Sequence, residues 1–353
     1  MDKIGIEMHG VRLNFQANKA SLLSHATEHF KGLAHSAFEN PSITVNCNWI
    51  NGPWDPEEQP FIKTDQPLRV LGKRMLGRKD ELVWVNTLRV TGLQYHFRKS
   101  GNQFIFDVAY HFDPSKRKLA KLPNYESKKY FSLMSELIYY PMIWYLERTR
   151  GWTILHASAL DTGTGAIAIG GLGGVGKTTT SVALMQACRM KLISENLIFT
   201  DGDFIYPCYE PIRLDPESLE LLQRTDGLVS MDFPSGLKPK SLFLLDALTT
   251  PCKVPPKLIF LPQFSPKRYV ARLEAESAFE KIAAMNRLTR ELDDYYWFAA
   301  ALDMQWPKPG LTQARLDALR TFVEEADCYE LGIDRTLGVS AVVQDIVGQL
   351  HDS

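Results

Sequence analysis

Residues 171 to 178 read Gly171-Leu172-Gly173-Gly174-Val175-Gly176-Lys177-Thr178, a gapless fit to G-x-x-x-x-G-K-[ST]. The apolar run Ala166-Ile-Ala-Ile169 precedes them, and the helix-like stretch Thr179 to Arg189 follows. That context predicts strand, loop and helix in immediate succession, the arrangement of a phosphate-binding loop. The glycines allow the main chain to fold so that successive N–H groups face phosphate oxygens. The helix N-terminus adds unpaired donors and the positive end of its dipole. Lys177 then reaches the β- and γ-phosphates, and the Thr178 hydroxyl is placed to ligate Mg²⁺. Thr179, in the same first turn, completes the expected nucleotide-contacting set. The reading implies ATP or a close analogue, with Mg²⁺ as its counter-ion.

The rest of the composition excludes more than it assigns. The chain has 353 residues, 45% of them hydrophobic and 23% charged, enough for two domains with sizeable cores. Forty basic side chains against 41 acidic ones leave a net charge of −1, which gives no support to a nucleic-acid partner. No run approaches the roughly 20 apolar residues of a membrane helix. Leu133 to Leu146 comes nearest, interrupted by Glu136 and Pro141. The start, Met1-Asp-Lys-Ile-Gly-Ile-Glu7, lacks a signal-peptide layout. Cys47, Cys188, Cys208, Cys252 and Cys328 are scattered and odd in number, as expected of reduced thiols in a cytoplasmic protein. A homo-oligomer is compatible with all of this.

Patterning divides the chain into a β-rich module over 1–124 and a phosphate-loop domain over 125–353 with a helical C-terminal part. In the first, Ile43 to Cys47, Leu82 to Val85 and Gln103 to Phe112 carry β-branched and aromatic residues, partly alternating. Tyr95 to Phe97 and Phe104 to Phe112, joined through Lys99-Ser-Gly-Asn102, predict a hairpin in an antiparallel sheet. Segments rich in proline, such as Asn51 to Pro56, separate the strands. Tyr125 to Arg150 reads as one long helix. Thr153 to Leu160 reads as a strand, turning at Asp161-Thr-Gly-Thr-Gly165 into the strand before the loop. Met190 to Ile193 predicts a short strand, and Asn196 to Tyr206 a hairpin turning at Asp201-Gly202. Lys257 to Leu261 predicts a buried strand, and the chain from Glu274 reads as mostly helical.

Phosphoryl transfer needs charge neutralisation, a metal and a group that positions or deprotonates the acceptor. His156 falls on the strand expected beside the one that delivers the loop, within reach of the γ-phosphate region, or else packed in the core. Glu195 follows a strand end, where carboxylates of α/β sheets converge on the ligand crevice. Its neighbour Asn196 could add a neutral ligand. Glu210 and Arg213 pair an acid suited to Mg²⁺ with a base suited to phosphate, or form a surface ion pair. Asp246, after the apolar run Ser241 to Leu245, is a second metal candidate ranked below Glu210. Asp201 and Asp203 are read as turn residues. Lys267-Arg268 is read as a solvated basic pair.

The order Leu155-His156-Ala-Ser-Ala-Leu160, glycine turn, then Ala166 to Thr178 resembles the catalytic domain of HPr kinase/phosphorylase. It is similar to the broader group of HPr-kinase-like small-molecule and peptide kinases, which look related to ATP-dependent phosphoenolpyruvate carboxykinases. The resemblance spans roughly residues 150 to 215, with weaker similarity in element order to about 275. It implies an α/β fold of mixed sheet and helices. It also implies that His156 takes the family histidine's place, Lys177 the loop lysine's and Thr178 that of the metal-binding hydroxyl. Glu195 stands where the family's general-base Asp stands, and Glu210 where a later acid helps bind magnesium. The family's Asp-Asp is Glu195-Asn196 here. The HPr-binding segment has no counterpart, so HPr is not the expected acceptor.

Together these readings predict an ATP- and Mg²⁺-dependent kinase acting on a serine-like hydroxyl of a small molecule or peptide. Its catalytic set is Glu195, His156, Lys177 and Arg213, and Thr178 with Glu210 holds the metal. The alternative is a nucleotide-dependent switch or ATPase working through protein partners, with Asp246 at the metal. A carboxykinase-like lyase would need a Lys, His and Asp ligand set that the sequence does not supply.

Overall fold

A computed structural model describes residues 2–55, 68–115, 124–222, 227–231 and 240–352. Pro56, Pro239 and residues 116–123, which adjoin the boundary expected at 124/125, lie outside the described residues. The protein is a mixed α/β chain in two compact units. Met1–Leu146 with Asp294–Lys308 form the first, and Glu147–Asp293 with Pro309–Ser353 the second. The division therefore falls about a helix later than the sequence boundary, and a C-terminal segment returns to the first unit.

The first unit begins with β1 (Lys3–Met8) and β2 (Val11–Ala17), both alternating apolar and polar residues. They close through His9 and Gly10, each at positive φ, as a two-residue hairpin turn requires. Next come α1 (Ala20–His29), β3 (Ala34–Ser36) and β4 (Ile43–Asn51). After β5 (Arg69–Gly72), β6 (Met75–Arg78) and β7 (Glu81–Val85), the hairpin of β8 (Leu93–Ser100) and β9 (Gln103–Phe112) turns at Gly101-Asn102. The nine strands form one sheet in the order β3-β1-β2-β4-β9-β8-β7-β6-β5. The sheet is mixed, not antiparallel as expected, because β4 runs parallel to both β2 and β9. Helix α1 supplies the crossover that the parallel β2–β4 pair demands.

The helix expected over 125–150 is one helical run: α2 (Tyr125–Met134), a π-helical turn over Ser135–Tyr139, and α3 (Tyr140–Arg150). Pro141 lacks an amide hydrogen, and the wider turn lies just before it. Trp144 packs edge-on to Phe104, with centroids 4.8 Å apart, and donates from Nε1 to Asp303 at 2.8 Å. Tyr95, Phe97, Phe106 and Phe298 complete this buried aromatic core.

In the second unit, β10 (Thr153–Leu155) and β11 (Ala157–Asp161) replace the single strand expected over 153–160. β12 (Ala166–Gly170) is buried throughout, hence its unbroken apolar sequence. Helix α4 (Lys177–Cys188) follows the loop, and β13 (Lys191–Ser194) follows the helix. The predicted hairpin is β14 (Ile198–Thr200) and β15 (Ile205–Pro207). Beyond it lie β16 (Ile212–Leu214), α5 (Pro216–Leu221), β17 (Leu228–Met231), β18 (Ser241–Leu245), β19 (Pro256–Phe264) and β20 (Tyr269–Leu273). Helices α6 (Ala275–Leu288), α7 (Arg290–Gln305) and α8 (Leu311–Glu324) precede β21 (Asp327–Ile333) and α9 (Gly338–Asp352).

The main sheet has the order β13-β11-β12-β19-β21-β20. β12, β19 and β21 run parallel, and β11, β13 and β20 are antiparallel to their neighbours. β21 was not expected in a C-terminal region read as mostly helical. Separate three-stranded sheets are β10-β14-β15 and β16-β18-β17. The apolar layer of Ala159, Ala168, Ile193, Ile259, Phe279 and Phe322 joins the main sheet to its helices.

Candidate active site

The loop delivered by β12 has the backbone its glycines foretell. Gly174 and Gly176 lie at φ 85° and 90°, where side-chain-bearing residues are strained, and Gly176 caps α4. A Cβ at Gly173, Gly174 or Gly176 would meet nothing within 4 Å, so this side of the loop is open to an approaching group. Lys177 is only 7% exposed and donates from Nζ to the carbonyls of Gly171 at 3.0 Å and Leu172 at 3.3 Å. Burial draws its pKa down, against the pull of Glu195 and Glu291. The adjacent helix is fastened to the sheet by Ser181 Oγ, which donates to Ser158 Oγ on β11 at 2.8 Å.

His156 stands where the chain leaves one sheet for another. β10 pairs with β14, while β11 pairs with β12 and β13. Asn286, near the end of α6, takes the His156 N–H on Oδ1 at 3.1 Å and donates to the Ile154 carbonyl at 3.4 Å. The break in the expected strand is therefore pinned by a side chain 130 residues away. His156 Nδ1 lies 2.9 Å from Thr289 Oγ1, whose single proton goes to the Met285 carbonyl. Nδ1 must then be the donor, which leaves Nε2 as an acceptor when the ring is neutral. Burial, with Lys177 nearby, lowers the histidine's pKa to about 4, opposed by Glu291 and a side-chain bond to Asn196. The ring is neutral at pH 7, so in this state it supplies a hydrogen-bond acceptor and no positive charge.

The acids come from the turn after β13 and the strand end beyond β15. Ser194 Oγ sits within reach of both the Leu197 and Cys208 carbonyls, at 2.6 and 2.8 Å, and binds these two segments together. Thr178 donates its hydroxyl to Glu195 Oε1. Asn196 Nδ2 donates to Glu210 Oε2 at 3.1 Å. Burial holds the Glu195 carboxyl above its ordinary range, against Thr178, Arg213, Lys177 and Lys240. Burial likewise raises Glu210 to about 7, helped by Glu195 and Glu291 and opposed by Asn196 and Arg213. Arg213, exposed on β16, thus acts electrostatically on both acids.

Lys177, Thr178, His156, Glu195, Glu210 and Arg213 therefore fall in one electrostatically linked cluster beside the loop. The Thr179 hydroxyl instead lies 3.4 Å from Ser218 on α5. Asp201 is a turn residue: it accepts from the Phe204 N–H at 2.9 Å and from Tyr206 Oη at 2.6 Å. Asp246 closes the turn after β18, accepting the Leu248 N–H at 3.0 Å, in a sheet that does not include β12. Arg268 pairs with Asp345 at 2.8 Å. Asn286, Thr289 and Glu291 escaped the sequence reading. Only the polar residues gathered at a helix end, Asn286, Arg287, Thr289, Arg290 and Glu291, could have drawn notice to them.

Among the described residues no group of three or more His, Cys, Asp and Glu side chains is placed to hold a metal. Magnesium bound with phosphates needs only one or two carboxylates and a hydroxyl. The oxygens of Thr178, Glu195 and Glu210 fit that requirement, and two neighbouring half-buried acids held towards protonation are what a dication would relieve. No helix among the described residues is long and apolar enough to cross a membrane. No family model and no curated protein matches the chain.

Proposed function

We propose that the second unit is an ATP- and Mg²⁺-dependent kinase of the HPr-kinase-like type, transferring the γ-phosphate to a serine-like hydroxyl. The observation that carries this reading is the Thr178–Glu195 hydrogen bond, which sets a carboxylate against the first turn of the loop helix. Loop amides and Lys177 hold the β- and γ-phosphates. Thr178 with Glu210 would hold Mg²⁺, which when bound would neutralise phosphate charge. Glu195 accepts the acceptor hydroxyl's proton as its oxygen bonds to the γ-phosphorus and the bond to the β-phosphate oxygen breaks, releasing ADP. A carboxylate raised by burial is the better base near neutrality. Arg213 offsets charge on the transferring group, and neutral His156 orients Asn196 between the two acids. The switch reading gains nothing from Asp246, which is spent on a turn.

Incubation of the protein with γ-labelled ATP and a metabolite or peptide extract tests the reaction. Label should pass to an organic acceptor, and Glu195→Gln should slow that transfer about 10²- to 10⁴-fold with nucleotide binding intact. Release of free phosphate alone, or unchanged transfer in Glu195→Gln, would overturn the kinase or the base respectively.

A further inference from the structure

Glu291 lies beside the loop and has no part in the transfer described above. It stands in the first turn of α7, just past the corner where α6 ends, and it is exposed. That corner is fixed to the site. Asn286 accepts the His156 N–H and donates to the Ile154 carbonyl, and Thr289 Oγ1 takes the His156 Nδ1 proton. Glu291, two residues beyond Thr289, is carried to the same place. Its charge bears on Lys177 of α4, on His156 between β10 and β11, and on Glu210 beyond β15. Coulomb interaction falls with distance and is screened by water. An exposed carboxylate that acts on groups from three separate elements therefore stands where those elements converge.

Acids on the surrounding helices and strands take basic partners: Glu276 pairs with Arg320, Glu330 with Lys281 and Asp345 with Arg268. Glu291 makes no hydrogen bond or ion pair among the described residues. Arg287 precedes it by four residues, a spacing at which a continuous helix would pair the two. The extended backbone of Thr289, at φ −83° and ψ 122°, breaks the helix between them. Lys177 is engaged with the loop carbonyls, and neutral His156 brings no charge. A bare carboxylate beside a polyphosphate opposes nucleotide binding, so its place here calls for a further cation. With magnesium assigned to Thr178 and Glu210, that cation arrives with the acceptor. An ammonium answers a carboxylate with a full charge and three donors.

We infer, resting on the kinase reading above, that the acceptor carries a protonated amine close to its reacting hydroxyl and that Glu291 holds this amine. A free amino alcohol and a peptide serine beside a lysine share that chemistry. Calorimetry on the full chain, with Mg²⁺ and a non-hydrolysable ATP analogue, tests the two sources in matched pairs. One pair is 3-amino-1-propanol and propane-1,3-diol. The other is the blocked dipeptide of serine with lysine and its norleucine counterpart. The same compounds are then incubated with γ-labelled ATP. The amine of at least one pair should bind and take label about tenfold better than its neutral analogue, and that pair identifies the source. Glu291→Gln, a change at an exposed position, should raise the KM of that amine about tenfold while kcat and Mg·ATP affinity hold. Amine recognition by Glu291 is overturned if neither amine surpasses its neutral analogue or if Glu291→Gln binds the amine as the wild type does. A variant altered only in its Mg²⁺ requirement also overturns it, and makes Glu291 a metal ligand. Amine binding lost in Glu291→Gln, without any labelled product, sinks the kinase reading alone. Label passing to extract acceptors with no preference for amines sinks the amine alone.

Discussion

Lys177 shows how far one residue can be read from its spacing. Its place after Gly176 forecast an ammonium reaching for phosphate at the loop, and the structure puts Nζ on two loop carbonyls there. Those carbonyls are weak partners for a charge beside what the proposed polyphosphate would offer. Lys177→Met keeps the apolar stem and removes the charge. Hydrogen bonds to charged groups contribute about 1.5–3 kcal/mol each, so Mg·ATP affinity measured by calorimetry should fall roughly ten- to a hundredfold. Equal affinity in the variant would remove the loop from the nucleotide reading. Glu195 and Glu210 were legible for a similar reason, since strand ends and hairpin turns are local in sequence. The state of His156 was not. Its neutrality depends on burial and on Lys177, its tautomer on Thr289, and none of these is visible from residues near it in the chain.

Among the elements, hairpins were legible and long-range partners were not. Asp201-Gly202 and Gly101-Asn102 mark their turns chemically, and both hairpins form. The alternation and His9-Gly10 turn of β1 and β2 were equally readable, though unread, whereas the parallel pairing of β4 has no local signature. The end of α6 is the instructive case. Asn286 bridges Ile154 and His156 and so fixes where β10 stops and β11 begins. Asn286→Ala leaves the His156 N–H buried and unpaired, a loss of about 1–3 kcal/mol that urea unfolding should record. Because the same bond places His156 beside Asn196, transfer should slow more than nucleotide binding weakens. A variant of unchanged stability and turnover would reduce Asn286 to a bystander at that corner.

On the scale of the whole molecule, the two units carry their ionisable burdens separately, and the first makes a pH signature of its own. His25 is held at about 4 and His29 well below its ordinary value, both chiefly by burial. Such histidines take up protons only on unfolding, so they cost stability as pH falls below about 6.5. Glu136, on the π-helical turn, runs the other way. Burial, with Asp294 nearby, lifts it to about 8 against its backbone hydrogen bond and Lys129, and its Oε2 is buried without a partner among the described residues. Folded Glu136 therefore keeps a proton that the unfolded chain has already lost, a gain present below about 4.5 and lost as pH rises towards 8. That its helix shares a unit with Asp294 was hidden in the sequence, because residues 294–308 read as one more stretch of the C-terminal helical run. Between pH 6.5 and 8 the histidines no longer contribute, and one proton at about 1.4 kcal/mol per pH unit gives a fall of about 2 kcal/mol. Glu136→Gln titrates in neither state. Thermal unfolding of the two full-length chains in parallel should show the variant gaining on the wild type steadily from pH 6.5 to 8, by several degrees at the upper end. A difference independent of pH would mean that Glu136 is ionised in the fold, and that an unrecognised partner for its carboxylate lies within the first unit.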